Sequence, residues 1–190
     1  MIPWSREQLR QWMVAMLASG TIFAVLSLYL FLRRGYYNLY IANKAFGSAG
    51  FMVIAIVLLI GPLSRLYQRF DPWIIYRKEL GIVGFIAALA HTIISLFLLP
   101  DKFQLASFFK FVSFNRGLVP FLFGITSILV FCILTVMSFD TVIRRMNKEV
   151  WWRWQYRGPG IAAILLFLHL VVRKYPGWIS GYAKGGGDAL

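Results

Sequence analysis

The sequence predicts an all-α integral membrane protein with five transmembrane helices, and three observations carry that prediction. Of 190 residues, 59% are hydrophobic and 14% are charged, too apolar for a domain that keeps a polar shell in water. The apolar residues gather in five runs, at about residues 12–32, 45–64, 80–99, 117–139 and 158–174. A helix needs roughly 20 such residues to cross a ~30 Å hydrocarbon core, and all but the last run supply them. The twenty Lys and Arg give a net charge of +13 but lie in the short gaps between runs, not on one basic face. That placement marks membrane anchors in contact with lipid, and no nucleic-acid partner is expected.

Met1 to Arg10 form a short polar lead. The first span, 12–32, is closed by Arg33 and Arg34; it is too long for a signal-peptide core and lacks a small-residue cleavage site, so it reads as a retained helix. Tyr36, Tyr37 and Tyr40 then form an interfacial belt. The second span, 45–64, opens with AFGSAG, where Gly47 and Gly50 let a neighbouring helix or a flat ligand approach the backbone. Residues 65–78 read as a polar loop, with Asp71-Pro72 breaking any continuing helix.

The third span, 80–99, contains His91. The phenylalanine-rich stretch at about 103–114, interrupted by Lys110, predicts an amphipathic helix lying in the interface. The fourth span is 117–139, and residues 140–157 form a basic collar with Trp151, Trp152 and Trp154. The fifth span, 158–174, is short. Either the tryptophan-rich stretch before it is also helical, with Arg153 and Arg157 snorkelling, or the helix starts at Pro159 where the membrane is thin. Residues 175–190 read as a short polar tail, and no internal repeat is apparent. With five spans, eleven Lys and Arg fall on the N-terminal side and nine on the other, which points to a cytoplasmic N-terminus.

Cys132 is the only cysteine, which excludes internal disulfides, thiolate clusters and CxxCH heme attachment. No GxGxxG follows a strand and no GxSxG elbow appears, so neither nicotinamide chemistry nor serine hydrolysis is supported. None of the seven acidic residues lies within the apolar runs, a poor donor set for zinc or nonheme iron and for a proton-coupled transporter.

The chain has two histidines, His91 and His169, both inside apolar runs. An imidazole facing lipid is costly, so each should face other helices. The third and fifth spans run in the same direction, with His91 fourteen residues after Arg77 and His169 twelve after Arg157, at similar depth. Gly84, Ala87 and Ala88 precede His91 by seven, four and three, so they share its helical face and leave room for a porphyrin. Ala162 stands seven before His169, with Leu165 and Leu166 as apolar walls. The pattern suits one noncovalent heme clamped between two helices. It also suits histidines that hydrogen-bond a neighbouring helix or relay a proton.

GPLSRLYQRF and IIYRKELGIVGFIAALAHTIISLF resemble the ferric reductase-like transmembrane family, and within it most closely the heme-binding membrane subunits of periplasmic methionine sulfoxide reductase systems. Pro62, Arg65, Arg77, Lys78, Leu80, Gly81 and His91 fit the family's second and third spans, and VIRRMNKEVWWRWQYRGPGIAAILLFLHLVVRKYPGW resembles its tryptophan-containing loop and the helix ending in a ligand histidine, here His169. The resemblance covers spans two to five and implies that they form a heme-binding bundle, with span one packed outside. It departs at Gln155 and Tyr156, where family members often carry another histidine, and in the sixth span common in the family. One heme b is therefore expected rather than two.

The implied function is that of a membrane b-type cytochrome, the electron-transfer subunit of an oxidoreductase rather than a complete enzyme. Its metal ligands would be His91 and His169, its donor a quinol or a reductase partner, and its acceptor a protein near the exported face of a bacterial inner membrane. The alternative is an accessory structural subunit that keeps the reductase-like scaffold without redox chemistry.

Overall fold

A computed structural model describes residues 5–99 and 118–183. The expected interfacial helix at 103–114 and the last residues of the tail lie outside the described residues. Within them the chain is helical, with five helices long and apolar enough to cross a membrane, as the apolar runs predict.

Helix α1 (Arg6–Arg34) starts on a capping box in which Ser5 and Gln8 satisfy each other's backbone N–H groups. It ends on Gly35, whose φ of 74° is the left-handed conformation that stops a helix. Helix α2 (Leu39–Leu66) is capped by the Asn38 side chain on the Ile41 N–H. The stretch read as a polar loop is a 3₁₀ helix, Gln68–Tyr76, that feeds directly into α3 (Arg77–Ile93). The α geometry ends at Leu66, before Asp71-Pro72, and the chain stays helical through Pro72, which lies inside the 3₁₀ helix instead of breaking it. Trp73, Ile74 and Ile75 are exposed on it, an apolar edge suited to the headgroup boundary.

Helix α3 continues as a π-helix over Ile94–Leu98. After the undescribed segment come α4 (Val119–Val136), a single turn at Asp140–Ile143, and α5 (Lys148–Ala183). Of the two arrangements left open for the fifth span, the structure adopts the first. The tryptophan-rich stretch is helical, capped by Asn147 on the Glu149 N–H at 2.8 Å and supported by an Arg153–Glu149 pair at 2.9 Å. The helix also continues to Ala183, well into the stretch read as a tail.

Four of the five helices form two antiparallel hairpins. In the first, α2 packs along α3 at very close range: a Cβ on Gly50 would meet the Ala88 backbone nitrogen at 2.9 Å and the Gly84 carbonyl at 3.1 Å. Such seams of small residues let dispersion act between backbones where lipid removes any hydrophobic drive. Ala15, Val53, Ile60 and Leu80 form the core where α1 lies on this hairpin. In the second hairpin α4 packs along α5. The buried Ser127 hydroxyl donates to the Ala162 carbonyl at 2.9 Å, a Cβ on Gly158 would meet Leu134 at 2.7 Å, and Trp151 Nε1 donates to the Met137 carbonyl at 3.0 Å.

The hairpins meet through α3 against α4 and α2 against α5, with a Lys78–Asp140 pair at 3.4 Å at one end. The outside is apolar, with Leu17, Leu32 and Phe97 each more than 70% exposed, as a lipid-facing surface requires. Gly50→Val is expected to lower stability by about 1–3 kcal/mol, because the added atoms meet backbone that cannot swing aside. The thermal unfolding midpoint in detergent checks this, with Gly20→Val on α1, where nothing lies within 4 Å of the new Cβ, as the control.

Candidate functional site

Both histidines are held in the same way. His91, on α3, sets its ring against α2, with Nδ1 2.9 Å from the Asn43 carbonyl oxygen. His169, on α5, sets its ring against α4, with Nδ1 2.6 Å from the Pro120 carbonyl oxygen. A carbonyl oxygen only accepts, so in each ring Nδ1 carries the hydrogen and donates. The neutral imidazole then has its lone pair on Nε2, and that nitrogen is free to ligate a metal.

A glycine makes each approach possible. Four residues after Asn43, a Cβ on Gly47 would sit 2.9 Å from His91 Nδ1; four after Pro120, a Cβ on Gly124 would sit 2.7 Å from His169 Nδ1. Any larger residue would push the ring off the carbonyl. Both glycines follow a phenylalanine, in Phe46-Gly47 and Phe123-Gly124, and each precedes its histidine by nearly the same distance, 44 and 45 residues. The two hairpins are thus built alike around their histidines, although no repeat stands out along the sequence.

The other residues expected at the site divide. Gly84 and Ala88 lie in the α2 seam: a Cβ on Gly84 would meet Ile54 and Val53 at 3.0 and 3.1 Å, and Ala88 backs onto Gly50. Ala162 is fully buried in the α4 seam, its carbonyl bonded to Ser127. Helix packing accounts for the small size of these three. Ala87 is half-buried. Of the two glycines noted at the start of the second span, Gly47 lies against the histidine and Gly50 against the neighbouring backbone. Gly124, Asn43 and Pro120 were not singled out from sequence; the recurring Phe-Gly ahead of each histidine is the signal that marks the first.

Asn43 is 1% exposed and does more than offer its carbonyl. Its side-chain amide donates to Ser95 Oγ at 2.8 Å, tying the start of α2 to α3 one turn beyond His91. No group of three or more His, Cys, Asp or Glu that could hold a metal ion occurs among the described residues. Each histidine thus offers one imidazole nitrogen, a donor that suits heme iron. At the other end of the bundle, Gln155 is half-buried and Tyr156 exposed at 64%.

The family model described as "Ferric reductase like transmembrane component" matches residues 46–168, more than half of the chain. The match begins at Phe46, beside Gly47, and ends one residue before His169. No curated protein matches the chain at a significant level.

Proposed function

From the premise that the chain belongs to the ferric reductase-like transmembrane family, we propose that this membrane electron-transfer component carries one b-type heme between His91 and His169. The observation that carries this reading is the shared hydrogen bonding of the two rings, each spending its Nδ1 hydrogen on a backbone carbonyl and leaving Nε2 open to a metal. When bound, the heme iron supplies one-electron chemistry between its ferric and ferrous states. The chain's own part is to fix both imidazoles before the cofactor arrives, to keep them neutral ligands, and to surround the ring with an apolar, water-poor bundle that sets the potential.

Gly84, Ala88 and Ala162 contribute as small residues of the two helices that carry the ligands; their seams hold each histidine-bearing helix close to its partner. The surplus of Lys and Arg on the N-terminal side supports a cytoplasmic N-terminus in a bacterial inner membrane, with the histidine tier nearer the exported face. Electrons then pass from a quinol or a reductase partner to a protein acceptor at that face. The resemblance of the Arg77-to-His91 and Trp151-to-His169 stretches to the heme-binding membrane subunits of methionine sulfoxide reductase systems supports this reading.

The purified chain is expected to give a reduced-minus-oxidised spectrum of a six-coordinate b heme at one heme per chain. Two hemes per chain would contradict the single tier, and no heme band would favour the scaffold reading instead.

A further inference from the structure

The helix that carries His91 is gripped twice from α2, and both grips come from one residue. The ring Nδ1 donates to the Asn43 carbonyl at 2.9 Å, and the Asn43 side-chain amide donates to Ser95 Oγ at 2.8 Å. Ser95 follows His91 by four residues, so the two side chains lie on one face about 6 Å apart along the axis. Gly47 closes a third side, since a Cβ there would stand 2.9 Å from Nδ1. Two bonds and one close contact therefore fix both the slide and the turn of α3 against α2 at the level of the ring.

His169 has the first of these bonds without the second. Its Nδ1 also donates to a carbonyl, but that carbonyl belongs to Pro120, whose side chain has no polar atom with which to tie α4 to α5. The Asn43 amide is also a costly way to fill its place. Its side chain is buried and Oδ1 has no hydrogen-bond partner, a loss that an apolar side chain of similar size would avoid. Packing thus gives no reason for an asparagine here, whereas the bond to Ser95 does. Ser95 lies in the π-helical stretch Ile94–Leu98, where a wider turn interrupts α3 directly after the ligand; such interruptions are frequent at functional sites.

We propose that Asn43 is a positioning residue for His91. Through Ser95 it keeps the imidazole hydrogen on the Asn43 carbonyl and makes α3 the fixed side of the site, while His169, held by one bond, is the side that adjusts when heme binds. Without the tie to Ser95, only the ring bond holds α3 at this level. The Nδ1–H and Nε2–H forms then exchange, and Nε2 offers its lone pair for part of the time instead of all of it. The proposal rests on the heme reading for what the ring ligates; the tie itself belongs to the chain without its cofactor.

The test labels both imidazoles with nitrogen-15 in the full chain, purified in detergent without heme, and reads their tautomers by NMR, with His91→Ala assigning the signals. The parent is expected to show both rings protonated at Nδ1. In Asn43→Leu and in Ser95→Ala the His91 signals should move toward the average of the two tautomers while those of His169 stay. The double variant, apolar on both sides, should lose the fixed tautomer yet keep the parent's unfolding midpoint, a combination that a merely structural asparagine would not give. Ser127→Ala, which removes the buried hydroxyl bond of the other hairpin, should leave His91 as it is. Should Asn43→Leu fail to fold, Ser95→Ala carries the comparison. When heme is added, its Kd should rise about threefold to tenfold in both variants, less than the 10–100-fold typical of a group bonded directly to a ligand. A parent chain that takes up no heme would sink the heme reading and leave the tautomer comparison standing. A parent His91 with no fixed tautomer, a His91 unchanged in both variants, or His169 signals that move as far as those of His91 would overturn the proposal.

Discussion

Replacing either His91 or His169 with alanine is expected to cut heme content to below about a tenth of the parent chain, or to leave a five-coordinate high-spin heme on the surviving imidazole. The expectation follows from the division of labour in each ring. Nδ1 is committed to the Asn43 or Pro120 carbonyl, so Nε2 is the only nitrogen left to bind iron. Among the described residues no group of three or more His, Cys, Asp or Glu is placed to hold a metal instead. The fold should survive, because the α2–α3 seam rests on Gly50, Gly84 and Ala88 and the core on Val53, Ile60 and Leu80, none of which touches the ligand nitrogen. An unfolding midpoint close to the parent's, together with lost heme, is the outcome that separates ligation from folding. A scaffold without cofactor would show neither change.

Gly124→Ala is the second large effect. The added methyl would stand 2.7 Å from His169 Nδ1 and 3.1 Å from Cε1, so the ring must rotate or retreat and the hydrogen bond to Pro120 cannot persist. Groups that orient a metal-bound histidine through its second nitrogen typically contribute 10–100-fold to affinity, and a loss of that order in heme affinity is expected. Gly47→Ala should act in the same direction on His91, where the new methyl falls 2.9 Å from Nδ1. Gly160→Ala on α5 is the control: nothing lies within 4 Å of its Cβ, and alanine favours the helix. Equal heme affinity in Gly124→Ala and Gly160→Ala would mean that the ring is not gauged by its glycine.

The membrane helices were legible because apolar length is itself the physical requirement for crossing a bilayer, and that is written in the order of residues. The histidines were legible for a related reason: two imidazoles in otherwise apolar runs have few roles that justify their desolvation. What one chain of letters cannot show is which neighbour a small residue faces. Gly84 and Ala88 share a face with His91, and from sequence that face suits a porphyrin; the structure turns it toward Val53, Ile54 and Gly50 of α2. Gly124 went unnoticed because its importance depends on a histidine 45 residues away. The start of the fifth helix was obscured by Arg153, Arg157 and the tryptophans, which look like a loop until Asn147 is seen capping them and Trp151 is seen bonding the end of α4. The 3₁₀ helix at Gln68–Tyr76 was hidden behind Asp71-Pro72, a pair that reads as a helix break yet lies inside it.

The coordination of ferric iron in the purified chain, read by electron paramagnetic resonance, bears most directly on the joint ligation by α3 and α5. Two imidazoles on one iron predict a low-spin signal in the parent chain that gives way to a high-spin signal, or to none, in both His91→Ala and His169→Ala. A low-spin signal that persists unchanged in either variant would contradict it.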